Sequence, residues 1–276
     1  MNGENFLTLR CRIVRITLWL IIFHIINPNA VFAEETFTAS TQRYAGILVQ
    51  DTLHTLTAPA RWDQRDWLDF SLYTVGIGAV MVFDGSISDE VKENRTESAD
   101  DFARFIQEFG SLPSFGIMGG FYGAGMIFGN NKAKSVAKDA FASSIVSAGI
   151  ITPTLKLAVG RSRPYQDKGA YHFEPFGGDK SFPSGHTTQA FSLASVIAEY
   201  YDERWVDITS YGIAALVGLA RIEQEAHFPS DVVAGAVIGT VVGKTIVRYN
   251  KDLHKGVTLT PYGNGEKIGA AIRIQF

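Results

Sequence analysis

The sequence predicts an all-α fold: a multi-helix bundle with its active site at helix ends, plus a small C-terminal β-hairpin. Three observations lead there. Apolar segments of helix length follow one another, separated by Gly and Pro punctuation such as Asp84-Gly85 and Gly160 to Pro164. The polar residues with chemical potential fall in short clusters between those segments, so a helical scaffold can gather them at its ends. Near the C-terminus the pattern changes from helical spacing to strict alternation.

Taken in order, residues 1–33 read as a secretory leader. Arg10, Arg12 and Arg15 precede the apolar run 16–26, and Val31-Phe32-Ala33 before Glu34 fits the small-residue cleavage rule. That apolar run is short against the roughly 20 residues a span requires. Cleavage would leave the protein extracytoplasmic, in a periplasm or its equivalent, and would remove three Arg and one Glu, moving the formal charge from −3 to −5. No basic tract is left to point to nucleic acid. Cys11 is the only cysteine and lies within the leader, so the mature chain would carry no disulfide.

The segment 34–256 is expected to be one helical domain. A first helix is expected over 40–57, ending before Pro59, and a second over 62–83. The charged stretch 86–101 reads as a solvated helix or loop. Residues 109–131 carry seven Gly and Pro113 and predict close helix packing or a loop-interrupted pair. Helices over 134–159, 187–201, 208–222 and 229–249 complete the set. The remainder, 257–276, is the expected hairpin: Ile268, Ala270, Ile272, Ile274 and Phe276 alternate beyond Gly263-Asn264-Gly265-Glu266, with Arg273 on the outer face.

Length bears on the membrane. The charge-free runs 140–155, 181–198, 208–220 and 232–243 measure 16, 18, 13 and 12 residues. All fall below the roughly 20 needed to cross a bilayer, and only 109–131 reaches it. By this measure the bundle is soluble or rests against a membrane, rather than being polytopic.

The chemistry lies in the 76 residues from Lys156 to Asp231. Lys156, Arg163 and Arg221 are three cations in otherwise apolar surroundings, and half-buried cations need an anionic partner. A tetrahedral oxyanion serves all three, because guanidinium forks match its oxygens bidentately and Lys adds a point charge. Ser184-Gly185 ahead of a helical run offers a hydroxyl and bare N–H groups at a helix N-terminus, where anions bind. His186 then stands beside the anion as a candidate general acid.

Six residues at about 100° each put Arg221 and His227 roughly 240° apart on one helix, so a break is expected around 223–228. Pro229 suits the first turn of the next helix, across whose start His227 and Asp231 meet. A carboxylate on one imidazole nitrogen fixes the tautomer and frees the other to attack phosphorus.

These clusters, Lys156 with Arg163-Pro164, Pro183-Ser184-Gly185-His186, and Arg221 with His227 and Asp231, resemble the signature of the type 2 phosphatidic acid phosphatase superfamily. That group includes bacterial class A acid phosphatases, lipid phosphate phosphatases and vanadium haloperoxidases. The resemblance implies that His227 forms a phosphohistidine, Asp231 orients it and His186 is the acid. Lys156, Arg163, Ser184, Gly185 and Arg221 would hold the phosphate, with no metal or cofactor. Ala220 stands where the family has Ser, and Glu223 and Glu225 lie between Arg221 and the nucleophile, where they would repel polyanions if they faced the pocket.

The expected function is thus an extracytoplasmic, metal-independent phosphatase acting on soluble or lipid-linked phosphate monoesters through a phosphohistidine. Its partners would be a phosphorylated small molecule or lipid and a membrane surface, with no nucleic acid. The alternatives are a polytopic membrane phosphatase of phosphatidic acid or isoprenyl diphosphate, a vanadate-dependent haloperoxidase, and a non-catalytic phosphate-binding envelope protein. Oligomeric state is not legible.

Overall fold

A computed structural model describes the backbone of residues 30–254, 257–263 and 268–274, and the side chains of residues 41–253. Ten α-helices run through the described residues: α1 Ala30–Leu56, α2 Gln64–Met81, α3 Asp84–Asn94, α4 Glu97–Ile106, α5 Leu112–Ile127, α6 Asn131–Ser144, α7 Thr152–Val159, α8 Gly185–Tyr201, α9 Arg204–Glu223 and α10 Pro229–His254. A π-helical segment, Ile145–Ile151, joins α6 to α7 without a break.

The chain divides into a unit up to Gln50 and a unit from Asp51 onward, and the bundle belongs to the second. α1 starts ten residues ahead of the expected 40–57 helix. The expected leader lies outside the described residues except for 30–33, which are helical backbone.

Local signals set several helix starts. Asp63 and Asp66 form a reciprocal capping box on α2. Thr96 accepts from the Ala99 N–H at 3.2 Å and Asn130 from the Ala133 N–H at 3.2 Å, opening α4 and α6.

α8 is the central helix. One buried cluster joins its Leu193 and Val196 to Met118 of α5, Val136 and Ala140 of α6 and Val247 of α10; a second joins its Ala190 and Ala194 to Ala214 and Val217 of α9. Towards α10 it presents Thr188, Ser192 and Ser195, and Gly235, Gly239 and Gly243 of α10 face them. A Cβ at Gly239 would strike the Thr188 carbonyl, and one at Gly243 would strike the Ser195 hydroxyl. Such small-residue contacts allow helix backbones to approach closely without a hydrophobic driving force. Buried hydroxyls add cross-links: Ser143 to Ser192 at 2.6 Å, and Gln189 Nε2 donating to Ser114 at 2.8 Å and Ser144 at 3.0 Å.

Three helical stretches are long and apolar enough to cross a membrane, Asn131–Val159, Arg204–Glu223 and Pro229–Leu253. The pair Gln64–Met81 and Asp84–Asn94, bent by 50°, makes a fourth if counted as one span. This corrects the sequence reading, in which only 109–131 was long enough; the helix there, α5, has 16 residues. Counting charge-free residues cut the true helices short. Lys132, Lys134 and Lys138 occupy the start of α6, where long stems let a charge reach a membrane interface. Asp139 is buried and accepts from the Tyr200 hydroxyl at 2.7 Å and the Asn250 amide at 3.0 Å, so it does not interrupt the apolar surface.

Beyond α10, the backbone of β1 (Val257–Gly263) pairs antiparallel with β2 (Ile268–Ile274), Val257 opposite Ile274. The connecting residues 264–267 and the side chain of Arg273 lie outside the described residues.

Candidate active site

The site forms where α7, α8 and α10 end or begin. α7 stops at Gly160, whose φ of 59° and ψ of 39° give the left-handed C-terminal cap. A Cβ there would run into the Glu174 carbonyl, so the position needs glycine. The chain then leaves in extended form: Arg163 has φ −93° and ψ 155°. Lys156 thus stays on the last turn of α7 while Arg163 reaches in from the strand-like exit.

α8 begins at Gly185 with buried Ser184 as N-cap. The Ser184 N–H donates to the Asp231 carbonyl at 2.9 Å, which ties the start of α8 to the start of α10. Gly185 lies against Lys156: a Cβ on it would sit 3.9 Å from Lys156 Cε. α9 ends at Glu223, and a turn over 224–228 with Glu225 at φ 52° delivers His227 before α10 opens at Pro229, as the angular argument required.

The structure therefore gathers all eight residues singled out from the sequence. Lys156 and Arg221 act electrostatically on His227, while Arg221, Lys156 and Arg163 act on His186. Arg221, His227 and Asp231 are buried; Lys156, Arg163, Gly185 and His186 are half-buried. Lys156 Nζ donates to the Lys180 and Ser181 carbonyls at 2.7 and 3.2 Å. Arg221 Nη1 donates to the side-chain oxygens of Gln107 and Gln224, and its Nε lies buried with no hydrogen-bond partner among the described residues. Arg163 lies 5.8 Å from the Tyr165 ring. Among the described residues, Lys156, Arg163 and Arg221 make no ion pair with a carboxylate, whereas Arg95 and Arg161 each make two.

Asp231 is fully buried. Its Oδ2 accepts from the Ser181 hydroxyl at 2.5 Å and the Phe228 N–H at 2.9 Å, and lies 3.7 Å from His227 Nδ1, beyond hydrogen-bond length. Ser181 Oγ bridges the gap, 3.4 Å from His227 Nδ1. Because the Ser181 proton goes to Asp231, its oxygen is free to accept from Nδ1–H, which leaves Nε2 as the unprotonated nitrogen. Burial pushes the His227 imidazole down to about 4, against the opposing pull of Asp231, so it is neutral near pH 7.

Sequence reasoning missed the group that holds Asp231. Arg161, fully buried, donates from Nη1 to Asp231 Oδ1 and Ser230 Oγ, both at 2.8 Å, and from Nη2 to Asp84 Oδ2 at 2.7 Å. Its guanidinium also lies 4.3 Å from the Phe228 ring. Asp84 in turn accepts the Ser230 N–H at 2.9 Å. Arg161 stood in plain view within Gly160-Arg161-Ser162-Arg163, one more cation than a phosphate cradle needed. Asp84, 77 residues earlier, had been read only as turn punctuation. Glu225, read as a source of repulsion if it faced the pocket, is paired with Arg95 at 2.9 Å, so its charge is compensated. Ala220 is buried in one apolar cluster with Ala103 and Ile106.

Comparison with known proteins finds similarity over the segment that carries the site. The model of the PAP2 superfamily matches residues 140–255, so the C-terminal ribbon lies beyond the match and draws no support from it. A lipid A 1-phosphatase of Rhizobium etli is 35% identical over 102 residues, covering 35% of this chain and 43% of the relative. The undecaprenyl-diphosphatase BcrC of Bacillus subtilis is 27% identical over 133 residues, 48% of this chain and 67% of the relative. The chain spans less than half the length of the lipid A 1-phosphatases it matches. Among solved structures, a transmembrane PAP2 type phosphatidylglycerolphosphate phosphatase from Bacillus subtilis superposes with a TM-score of 0.52 at 24% identity, over 68% of this chain and 94% of that one, a likeness of fold. All eight residues singled out from the sequence lie within 140–255, the segment that is similar to the PAP2 superfamily.

Proposed function

We propose that this protein is a polytopic membrane phosphatase that hydrolyses a lipid-linked phosphate, without a metal, through a phosphohistidine. The carrying observation is the set of three cations that, among the described residues, form no ion pair with a carboxylate, gathered around a buried, neutral His227. The relatives named for lipid phosphates and the apolar helices Asn131–Val159, Arg204–Glu223 and Pro229–Leu253 favour the membrane setting over the soluble bundle expected from the sequence. The extracytoplasmic placement remains part of this reading, on Arg10, Arg12 and Arg15 preceding the apolar run 16–26.

In this mechanism Lys156, Arg163 and Arg221 bind the non-bridging phosphate oxygens and offset the charge that builds in the transition state. The Ser184 hydroxyl and the first N–H groups of α8 complete the cradle. Burial and the cations Arg221, Lys156 and Arg163 hold His186 down to about 4 before phosphate enters, so it takes up a proton as the anionic phosphate offsets those cations. His227 Nε2 then attacks phosphorus in line, forming the N–P bond as the P–O bond to the lipid breaks, and His186 gives that proton to the departing oxygen. Water then attacks the phosphohistidine, passing a proton to His186, and inorganic phosphate leaves with His227 restored. Ser181 and Asp231 hold the Nδ1–H tautomer and stabilise the positive charge on the ring.

The test is hydrolysis by detergent-purified protein of phosphatidic acid, an isoprenyl diphosphate and an aryl phosphate, alongside His227→Ala. Phosphate release by the parent, its loss in the variant and an acid-labile phosphoprotein in the parent alone are expected. A folded parent inert toward all three esters would refute the proposal.

A further inference from the structure

The face of α8 that begins at His186 continues, at intervals of three and four residues, through Ala190, Leu193, Ala194, Ile197 and Tyr201. Beyond His186 this face lines an apolar cavity of about 460 Å³, walled on its other sides by α5 and α9 and by Phe109. Phe109 ties cavity and site together: it precedes Gly110, which packs so tightly on α8 that a Cβ there would strike the His186 carbonyl. Of the three hydroxyl-bearing residues in the wall, Tyr201, Thr209 and Ser210, the last two hydrogen-bond to their own helix, Thr209 donating to the Trp205 carbonyl at 2.7 Å and Ser210 to the Val206 carbonyl at 2.6 Å. Trp205, at the far end, is 69% exposed, so the cavity opens to the side of the bundle.

We propose that this groove receives one hydrocarbon chain of the lipid whose phosphate enters the cradle, so that α8 binds the headgroup at its N-terminus and the tail along its flank. The inference rests on the phosphatase reading above and adds the chain as a recognised part of the substrate. From Ala190 to Tyr201 the groove runs about 16 Å at about 1.5 Å per residue, close to half of the roughly 30 Å hydrocarbon core of a bilayer. A tail lying along α8 would therefore stay at the depth it has in a single leaflet. The face of α8 that starts at His186 is the one that lines the groove, so the occupant most directly placed is the chain attached to the bound phosphate itself.

The experiment compares kcat/KM in mixed micelles for dipalmitoyl phosphatidate, dibutyryl phosphatidate and p-nitrophenyl phosphate, in wild type and in Ile197→Trp, which fills the groove without touching the cradle. Wild type is expected to favour the long-chain ester. Ile197→Trp should lose about tenfold or more of that advantage, on the scale by which apolar pockets discriminate chain length, and leave p-nitrophenyl phosphate hydrolysis unchanged. Thr209→Leu, a smaller filling change on the opposite wall, gives the same readout if the Trp variant fails to fold. No preference for the long chain in wild type, or equal losses on all esters in a folded variant, would overturn the groove while leaving the phosphatase intact. Equal losses with an altered oligomeric state would assign the groove to a second copy and overturn the proposal as well. A wild type inert toward all three esters would overturn the phosphatase reading and this inference with it.

Discussion

Two groups of cations flank His227 and Asp231, and their surroundings are opposite. Arg161 is sealed from solvent and shared between the carboxylates of Asp84 and Asp231. Among the described residues, Lys156 and Arg221 donate hydrogen bonds to neutral oxygens, from backbone carbonyls and from Gln107 and Gln224, and the carboxylates of Asp231 and Glu108 act on them only from a distance. The first arrangement is complete by itself and holds the carboxylate behind His227 in one orientation. The second leaves positive charge unpaired at a partly open face, which costs stability until an anion arrives. Equal charge thus serves as a brace in one place and as a receptor in the other; the partner decides which.

The sharpest way to break this contrast is Arg161→Met. Removing one partner of a buried ion network strands the Asp84 and Asp231 charges, and a loss of about 3–5 kcal/mol is expected in denaturant or thermal unfolding in detergent. Asp84→Asn added to that variant should recover part of it, because one stranded charge is removed. Unchanged stability in Arg161→Met would remove the brace from the account.

Next in size is the response to inorganic phosphate. At about a hundredfold excess over its Kd, phosphate should stabilise wild type by about 2.7 kcal/mol. Arg221→Ala should lose most of that response, and the size of the ligand-induced Tm shift reports it.

Arg221→Ala and Lys156→Ala should each lower kcat/KM by about 10- to 100-fold, as expected for losing a charged hydrogen bond of about 1.5–3 kcal/mol. Their unliganded stability should be equal to or higher than wild type, opposite in sign to Arg161→Met. Lowered stability in both would mean that these cations are braces too.

The smallest effect concerns pH. His227 is held down to about 4, so the rate should fall as pH drops through that region and the nucleophile gains a proton. Its ordinary value of 6.5 in the unfolded chain means that the unfolded state binds the extra proton first; stability contributed by His227 therefore declines from about pH 6.5 down to about 4. The Asp231 carboxylate raises the imidazole, so Asp231→Asn should move the acid limb of the rate profile to still lower pH. A limb that stays in place would separate Asp231 from the titration of His227.

The sequence alone determined the helical class and the break between α9 and α10, and it marked the eight positions that the fold brings together at the candidate site, because these depend on local grammar. Gly160 must end a helix, Pro229 can begin one, and Lys156, Arg163 and Arg221 in apolar surroundings require an anion wherever they meet. Tertiary structure decided what depends on distance. Asp84 and Arg161 became one unit only when α3 and the exit of α7 were packed together, and Glu225 lost its threat only when Arg95 reached it. The membrane-crossing lengths were likewise hidden, because a buried Asp139 satisfied by Tyr200 and Asn250 looks, in one dimension, like the end of an apolar segment. Local chain preferences act over a few residues and can be read in order; charge compensation acts through space, between residues whose separation along the chain carries no information about it.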